Sequence, residues 1–503
     1  MFNASKKKAI IIGSGFAGLS AASFMAKSGW EVEVVEKHAT PGGRARQFSE
    51  NGFTFDMGPS WYWMPDVFER FFNQFDKKVS DYYQLKRLDP SYRVYWQDGP
   101  IDIPADYQSL SNLFDQIEPG SGEMLNKYLE EAAFKYAVGV NKLVFKPGQS
   151  LLEFIDWDLI KGVFRLDVFN SIKSHVAKHF KHPKLVELME FPVLFLGALP
   201  QNTPALYSLM NYADIKGGTW YPNGGMYQIV NGMYQLAVSL GVKFNFNHDV
   251  QQINVDNGFA QSITAINRSE NKQETVIFNA EVIIAGADYH HVETKLLEPQ
   301  YQSYSAKYWD DRVLAPSSIL YYIGLNKKLT GINHHSLFFD TSFDVHGKEI
   351  YTTKEWPTDP LFYVSATSVS DSSVAPKGCE NLFLLIPVAA GLTNDTEELR
   401  DQYFNLIIQR MEKQLGQSIL DAVIYKKSFA GSDFISQYNS FKGNAYGLAN
   451  TLLQTAVLKP SCRSKKVKNL FYTGQLTVPG PGVPPSLISG EVVSKEVVKL
   501  FGS

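Results

Sequence analysis

Apolar and polar positions change period several times along this chain, and the first change is the sharpest. Residues 9–12 are consecutive apolar positions, as in a strand buried on both faces of a parallel sheet. They run into Gly13, Gly15 and Gly18. Ala22, Met25 and Gly29 then mark the packing side of a helix and its exit, and residues 31–35 form a second strand ending at Glu36. Further on, Phe68, Phe71, Phe72 and Phe75 recur at helical spacing, which predicts one buried helix face. Residues 80–104 read as short strands about turns, with alternation at 92–96 and a turn at 97–100. From 109 to about 184 the pattern is helical.

The second half alternates in the same way. Residues 217–226 form a glycine-rich loop, followed by a helix to about Leu240, a strand at 242–247, a β-hairpin opening at 250–253 and an apolar strand at 280–287 that ends at Asp288. Residues 317–325, 362–369 and 382–390 predict strands of a separate sheet, the last two joined through a turn at 375–378. An amphipathic helix spans 396–416, capped by Asn394, Asp395 or Thr396. The chain closes with a buried strand at 469–474, a Gly/Pro-rich loop at 475–486, and a helix starting near Pro485. No internal repeat or low-complexity stretch is visible.

The opening glycines carry the first chemistry. Gly13 permits a tight turn, Gly15 clears the approach of a pyrophosphate, and Gly18 lets the helix lie close on the sheet. Phe16 and Ala17 start that helix, whose free N–H groups and positive dipole end face an anion. Glu36, eighteen residues after Gly18 and followed by Lys37, sits where an acid binds ribose hydroxyls, so FAD or NAD is favoured over NADP. Residues 41–44 and 56–60 favour the flavin, since they add a second phosphate-approach loop. Gly43 admits the backbone there and Arg44 offers a forked donor to the pyrophosphate. Gly58, Pro59 and Ser60 belong to the same region. The chain re-enters this domain through the hairpin, which makes the Val250 backbone a candidate for the adenine edge. In the C-terminal loop, Gly474, Gln475, Val483, Pro484 and Ser486 back a flat ring, and the last helix points its positive end at it. Trp61 and Trp63, with Trp220 from the glycine-rich loop 217–226, are candidate walls of a long apolar channel; buried core is the simpler reading of the aromatic block.

Composition bounds these readings. The chain has 503 residues, enough for two or three domains, and a net charge of −3, which gives no global field for nucleic acid. Cys379 and Cys462 are its only cysteines and form no C-x-x-C pair, which fits a reducing cytoplasm. Lys6, Lys7 and Lys8 precede the uncharged stretch 9–26, which superficially resembles a leader or a membrane span. The nucleotide-loop spacing accounts for that stretch better, and no small-residue cleavage site follows. Elsewhere the longest apolar run, 191–200, is too short to cross a bilayer. A soluble or peripheral protein is expected. Between 159 and 182 five basic residues stand against one acid among apolar positions, which reads either as helices suited to an anionic membrane surface or as a solvated face. His175, His179 and His182 share one helix face by spacing, yet no cysteine or carboxylate nearby in sequence completes a ligand set, so no metal is expected. No Ser/His/Asp or Cys/His arrangement stands out, and no catalytic residue is assigned.

Together, Gly13 to Gly18, Glu36, residues 41–44, 55–60, 217–226, 370–381 and 469–490 resemble the bacterial and fungal type of carotenoid desaturase, the phytoene desaturase family. The resemblance runs from end to end. It implies an α/β, two-dinucleotide-binding flavoprotein fold like that of amine oxidases and protoporphyrinogen oxidase. A Rossmann-like FAD domain (1–75, 205–295, 455–503) would be joined to a mixed-sheet substrate domain (76–110, 296–454) and a helical membrane-facing cap (111–204). It also implies FAD as cofactor, a lipophilic polyene taken from a membrane surface, desaturation by hydride transfer to the flavin, and oxygen or a quinone as electron acceptor. The substrate would be phytoene or a 1-hydroxylated carotenoid desaturated at C3–C4. Two departures stand out: Val478 replaces a histidine frequent in relatives, and proline occupies 484–485 where glycine is common. An amine oxidase would share the frame but needs an aromatic cage, and often a flavin-linking cysteine. A lipid-escort protein would have lost the phosphate loops, which are intact here.

Overall fold

The computed structural model describes residues 7–154, 166–194, 197–269 and 273–502. Its first sheet has five parallel strands in the order Leu470–Tyr472, Val282–Ala285, Lys8–Ile12 (β1), Glu31–Val35 (β2), Lys243–Asn245. β1 is apolar throughout because both its faces are covered. Ala9 and Ile11 enter a core shared with helices, while Ile10 and Ile12 enter a second core beneath a three-stranded antiparallel sheet, His248–Asp256, Phe259–Asn267 and Glu274–Asn279. The expected hairpin at 250 thus gains a third strand.

Helix α1, Phe16–Lys27, lies against the C-terminal helix Val483–Phe501 at short range. A Cβ on Gly490 would meet Ala17 O at 2.5 Å, and the Ser20 hydroxyl donates to Leu487 O at 2.7 Å. The phenylalanine helix is Pro65–Asn73. It buries Phe68, Phe71 and Phe72, and Phe71 meets Phe24 of α1 edge-on.

The second sheet has seven strands, in the order Val423–Phe429, Ser317–Leu325, Glu380–Val388, Phe362–Ser365, His335–Phe338, Tyr92–Trp96, Gly99–Ile103. Every pairing is antiparallel except His335–Phe338 with Tyr92–Trp96. One face carries helix Glu397–Leu415. Thr396 caps that helix by accepting from Leu399 N, and Gly416 at φ +64° ends it. The other face turns Leu337, Tyr363, Phe383 and Leu385 toward the core that also holds Trp63 and the phenylalanine helix. The strand expected over 362–369 stops at Ser365, because Thr367–Val369 is a tight helical turn whose Ser368 N–H donates to Asn381 Oδ1.

Helices Tyr107–Ile117, Ser121–Val138, Ile172–His179 and Pro183–Leu194 form a third region. His182 does not share a face with His175 and His179. Their helix ends at His179 and the chain is extended at Phe180, so His182 belongs to the turn before the next helix. His175 and His179 pack on Tyr128, with Glu131 at 3.7 and 4.0 Å. Residues 159–165 of the basic stretch lie outside the described residues. Among the described residues, no helix is long and apolar enough to cross a membrane.

Candidate flavin and substrate site

The carboxyl ends of β1 and β2 and the start of α1 converge on one backbone cradle. Gly13, at φ +91°, donates from its N–H to Val35 O at the end of β2, 2.8 Å away. A Cβ on Gly18 would lie 2.0 Å from Gly13 O, so the helix reaches the turn only with glycine there. Gly15 is the N-cap of α1, and a Cβ built on it meets nothing within 4 Å. Phe16 and Ala17 are buried in the first turn, which contains no acid and has no side-chain cap. Its N–H groups are therefore left for an anion.

Glu36 is buried at the end of β2. Ser14 donates to its Oε2 from both the backbone N–H and the hydroxyl, each at 2.7 Å, and the His38 N–H donates to Oε1 at 2.9 Å. Lys37 points away, donating to Ser436 O at 2.8 Å, and burial lowers its pKa. The Glu36 carbonyl accepts from His248 N, which brings Val250, two residues further on and buried, beside the same loop.

The second glycine loop touches the first. The Gly42 N–H donates to Ser14 O at 2.9 Å, and a Cβ on Gly43 would lie 3.4 Å from Gly15 Cα. Arg44 lies over Tyr438, 5.4 Å from the ring centre. Its Nη2 donates to Ser440 Oγ at 3.1 Å and, with the Gln475 amide turned to face it, to that side-chain oxygen at 3.1 Å. Arg44 Nε is buried with no hydrogen-bond partner. Burial lowers the Arg44 pKa and raises that of Asp288, and each charge opposes the shift of the other. A half-buried, half-satisfied guanidinium beside an open glycine and an uncapped helix start fits a dinucleotide pyrophosphate.

The third loop closes on this pair. A Cβ on Gly58 would lie 2.7 Å from Arg44 O, which fixes the path of Pro59 and Ser60. From the C-terminal segment, Gly474 at φ +112° donates to Ser489 Oγ at 2.9 Å and lies next to Ala17. Val483, Pro484 and Ser486 form the first turn of the last helix, behind Gly482. Sequence reasoning missed Ser14, Ser440 and Ser489 as partners of this cradle. Ser14, lodged between two motif glycines, was the one with a local signal.

The three tryptophans also come together. The Trp220 N–H donates to Tyr62 O at 3.2 Å, Trp63 Nε1 donates to Thr219 Oγ1 at 2.9 Å, and Trp61 lies 5.1 Å from Trp63. Trp61 also contacts Tyr92 and Phe191, so this wall is aromatic on several sides. Beneath it Asp214 is buried and accepts from Tyr92 OH at 2.9 Å and Thr219 Oγ1 at 3.2 Å; burial pushes its carboxyl up to about 7. Cys462 is buried, with its thiol pushed up to about 12 by burial, so it is a protonated thiol at neutral pH.

Residues 16–498 match the family described as flavin containing amine oxidoreductase. The chain belongs to that family. As a flavin containing amine oxidoreductase it is an FAD-dependent enzyme. The chain is 39% identical over 502 residues to the carotenoid 3,4-desaturase of Haloarcula japonica, covering 99% of each. It is 28% identical to the zeta-carotene-forming phytoene desaturase of Myxococcus xanthus, over 98% of this chain and 94% of the other. Among solved structures, an oxidoreductase from Methanosarcina mazei superposes with a TM-score of 0.62 at 16% identity, over 97% of this chain and all of the other. A putrescine oxidase variant reaches 0.62 at 13% identity, over 98% and 99%. These two likenesses speak for the two-dinucleotide-binding fold.

Proposed function

We propose that this chain is an FAD-dependent carotenoid desaturase that removes hydrogen from a carbon–carbon single bond next to a conjugated polyene, and that the bond is C3–C4 of a carotenoid end. The full-length likeness to a carotenoid 3,4-desaturase supports the choice of bond over repeated desaturation of phytoene. The observation that carries the reading is structural. The segment from Arg44 to Ser60, which includes the antiparallel hairpin Gln47–Glu50 and Phe53–Asp56, continues directly into an aromatic wall of Trp61, Trp63, Tyr92 and Phe191, with Trp220 behind it.

In this reading Gly13, Gly15, Phe16, Ala17 and Gly18 hold the pyrophosphate and Glu36 the ribose, with Lys37 and Val250 toward the adenine. Gly43, Arg44, Gly58, Pro59 and Ser60 close over the diphosphate and the flavin. Gly474, Gln475, Val483, Pro484 and Ser486 back the ring. Bound FAD supplies the hydride acceptor. The side chains position the polyene and exclude water; conjugation spreads the positive charge left by hydride loss, and a proton then leaves the neighbouring carbon to form the double bond, so no strong dedicated base is required. Oxygen or a membrane quinone reoxidises the enzyme.

The FAD domain takes residues 1–75, 205–295 and 455–503, the substrate domain 76–110 and 296–454, and residues 111–204 form the cap through which a lipophilic substrate enters. The protein works at a membrane surface from the cytoplasmic side. Exposed Leu152, Leu453 and Leu458 on two abutting segments support that approach, as does exposed Phe169. Expression in cells that accumulate phytoene, or alternatively 1-hydroxylated carotenes, tests the reading. Pigment absorption moves to longer wavelength in the second host; no movement in either host, with FAD bound to the purified chain, defeats it.

A further inference from the structure

The aromatic wall beyond Ser60 holds more hydrogen-bonding capacity than a hydrocarbon can use. His335 is buried and stacked on Trp61, with centroids 4.1 Å apart and planes 11° from parallel. Its Nδ1 is 2.6 Å from the Tyr363 hydroxyl, which also faces Ser60 and Ser365. His335 Nε2 has no hydrogen-bond partner, and neither does either nitrogen of the adjacent buried His334. The two imidazoles lie 4.5 Å apart, and His334 meets Tyr221 edge-on at 4.6 Å. Ser60, Tyr221 and Ser365 also line a small cavity, together with Met226, Asn381 and Phe383.

Three unpaired ring nitrogens in one buried spot destabilise a fold unless something completes them. Burial keeps both imidazoles neutral: His334 is lowered to about 3, and His335 well below its ordinary value. Each neutral ring offers one N–H and one lone pair. Whichever way the proton lies between His335 and Tyr363, Nε2 presents the complementary donor or acceptor. A hydroxyl matches both cases because it donates and accepts; a charged group would have no counter-ion among the two imidazoles, Tyr363 and Ser60, and Asp56, which also lines the cavity, already accepts from the Met226 and Tyr227 N–H groups and the Gln47 amide. Ser60 follows Gly58, which packs on the Arg44 carbonyl, so the cluster adjoins the segment that closes on the glycine cradle.

We propose that His334, His335, Tyr363 and Ser60 bind a hydroxyl carried on the carotenoid close to the bond being dehydrogenated, and so select an oxygenated polyene end over a hydrocarbon one. The proposal rests on the carotenoid reading and adds to it the residues that read the substrate.

The test uses the FAD-loaded full chain and two carotenoids of equal length and unsaturation. One carries a tertiary hydroxyl at the reacting end, and the other ends in hydrocarbon. The unmodified enzyme is expected to favour the hydroxylated one in kcat/KM by about tenfold or more. Tyr363→Phe and His335→Phe should bring that ratio toward one by raising KM for the hydroxylated substrate alone. Tyr363→Phe removes one oxygen and keeps the ring, so its flavin spectrum and melting temperature report an intact fold even if the histidine variant fails to fold. A ratio of one or below in the unmodified enzyme overturns the proposal and leaves the carotenoid reading standing. So does a ratio unchanged in Tyr363→Phe, which would mean that only water occupies the cluster. Conversion of neither carotenoid by FAD-loaded protein overturns both.

Discussion

Glu36 and Ser14 are locked together: the Ser14 N–H and hydroxyl both donate to Glu36 Oε2, at 2.7 Å each. The acid that faces the ribose in our reading therefore also holds the glycine turn in shape, and the two roles are lost together. Glu36→Gln places an amide N–H₂ or a single oxygen against two donors. It is expected to weaken FAD binding by about tenfold or more and to lower the melting temperature of the apo chain as well. Titration of apo protein by flavin fluorescence, beside a thermal melt without FAD, checks both. An apo melt unchanged from the unmodified chain would separate the roles and refute the coupling.

Arg44 gives the complementary case, because its unpaired Nε contributes nothing to the apo fold that a lysine would forfeit. Arg44→Lys retains the charge but loses the planar fork. FAD affinity should drop by about tenfold, with the apo melting temperature shifted much less than in Glu36→Gln. Equal affinity in the lysine variant would show that the guanidinium does not face the cofactor.

The part of this cradle that was legible in the sequence is the part built from near neighbours. β1, α1 and β2 follow from a four-residue apolar run and three glycines: Gly13 for its positive φ, Gly18 for the 2.0 Å approach of its Cβ position to Gly13 O, and Gly15 for the space it leaves open. Thr396 marks a helix start through its own side chain. The strand His335–Phe338 was not foreseen, because two polar residues on a fully buried four-residue strand break both the alternating and the continuous apolar pattern. Val423–Phe429 was hidden by Lys426 and Lys427, ordinary residues for an edge strand. Arg44 meets Ser440 across 396 residues of sequence, and no local pattern encodes such a pairing.

Asp214 makes stability depend on pH, in the direction opposite to a salt-bridged carboxylate. Its folded pKa of about 7 exceeds the ordinary unfolded value of about 3.9. Between these values the unfolded chain has released the proton that the folded chain still holds. The contribution of Asp214 is therefore largest below about pH 4, falls as pH rises, and levels off above about pH 7. The fall is at most about 4 kcal/mol. Asp214→Asn keeps an acceptor for Tyr92 and turns an amide N–H₂ toward the Thr219 hydroxyl, as the protonated acid would turn its O–H, but it does not titrate, so urea midpoints measured from pH 4 to 8 should decline less steeply in the variant. Parallel curves would show that Asp214 keeps an ordinary pKa.

The proposed membrane contact leads to a prediction about apolar contact as distinct from charge. Leu453 is 76% exposed and Leu152 73% exposed, and their segments abut where a Cβ on Gly148 would lie 3.1 Å from Ala456 O. Lys173, by contrast, is 3.6 Å from Asp344, which offsets part of the basic stretch. Binding should then rest on leucine insertion, with each leucine buried in the lipid boundary contributing on the order of 1 to 2 kcal/mol. Leu453→Ser combined with Leu152→Ser is expected to cut co-sedimentation with zwitterionic vesicles by roughly tenfold or more. It should leave FAD content unchanged, since neither residue belongs to the cradle. Raising the salt concentration should have the smaller effect; if salt alone releases the unmodified chain, the basic helices and not these leucines make the contact.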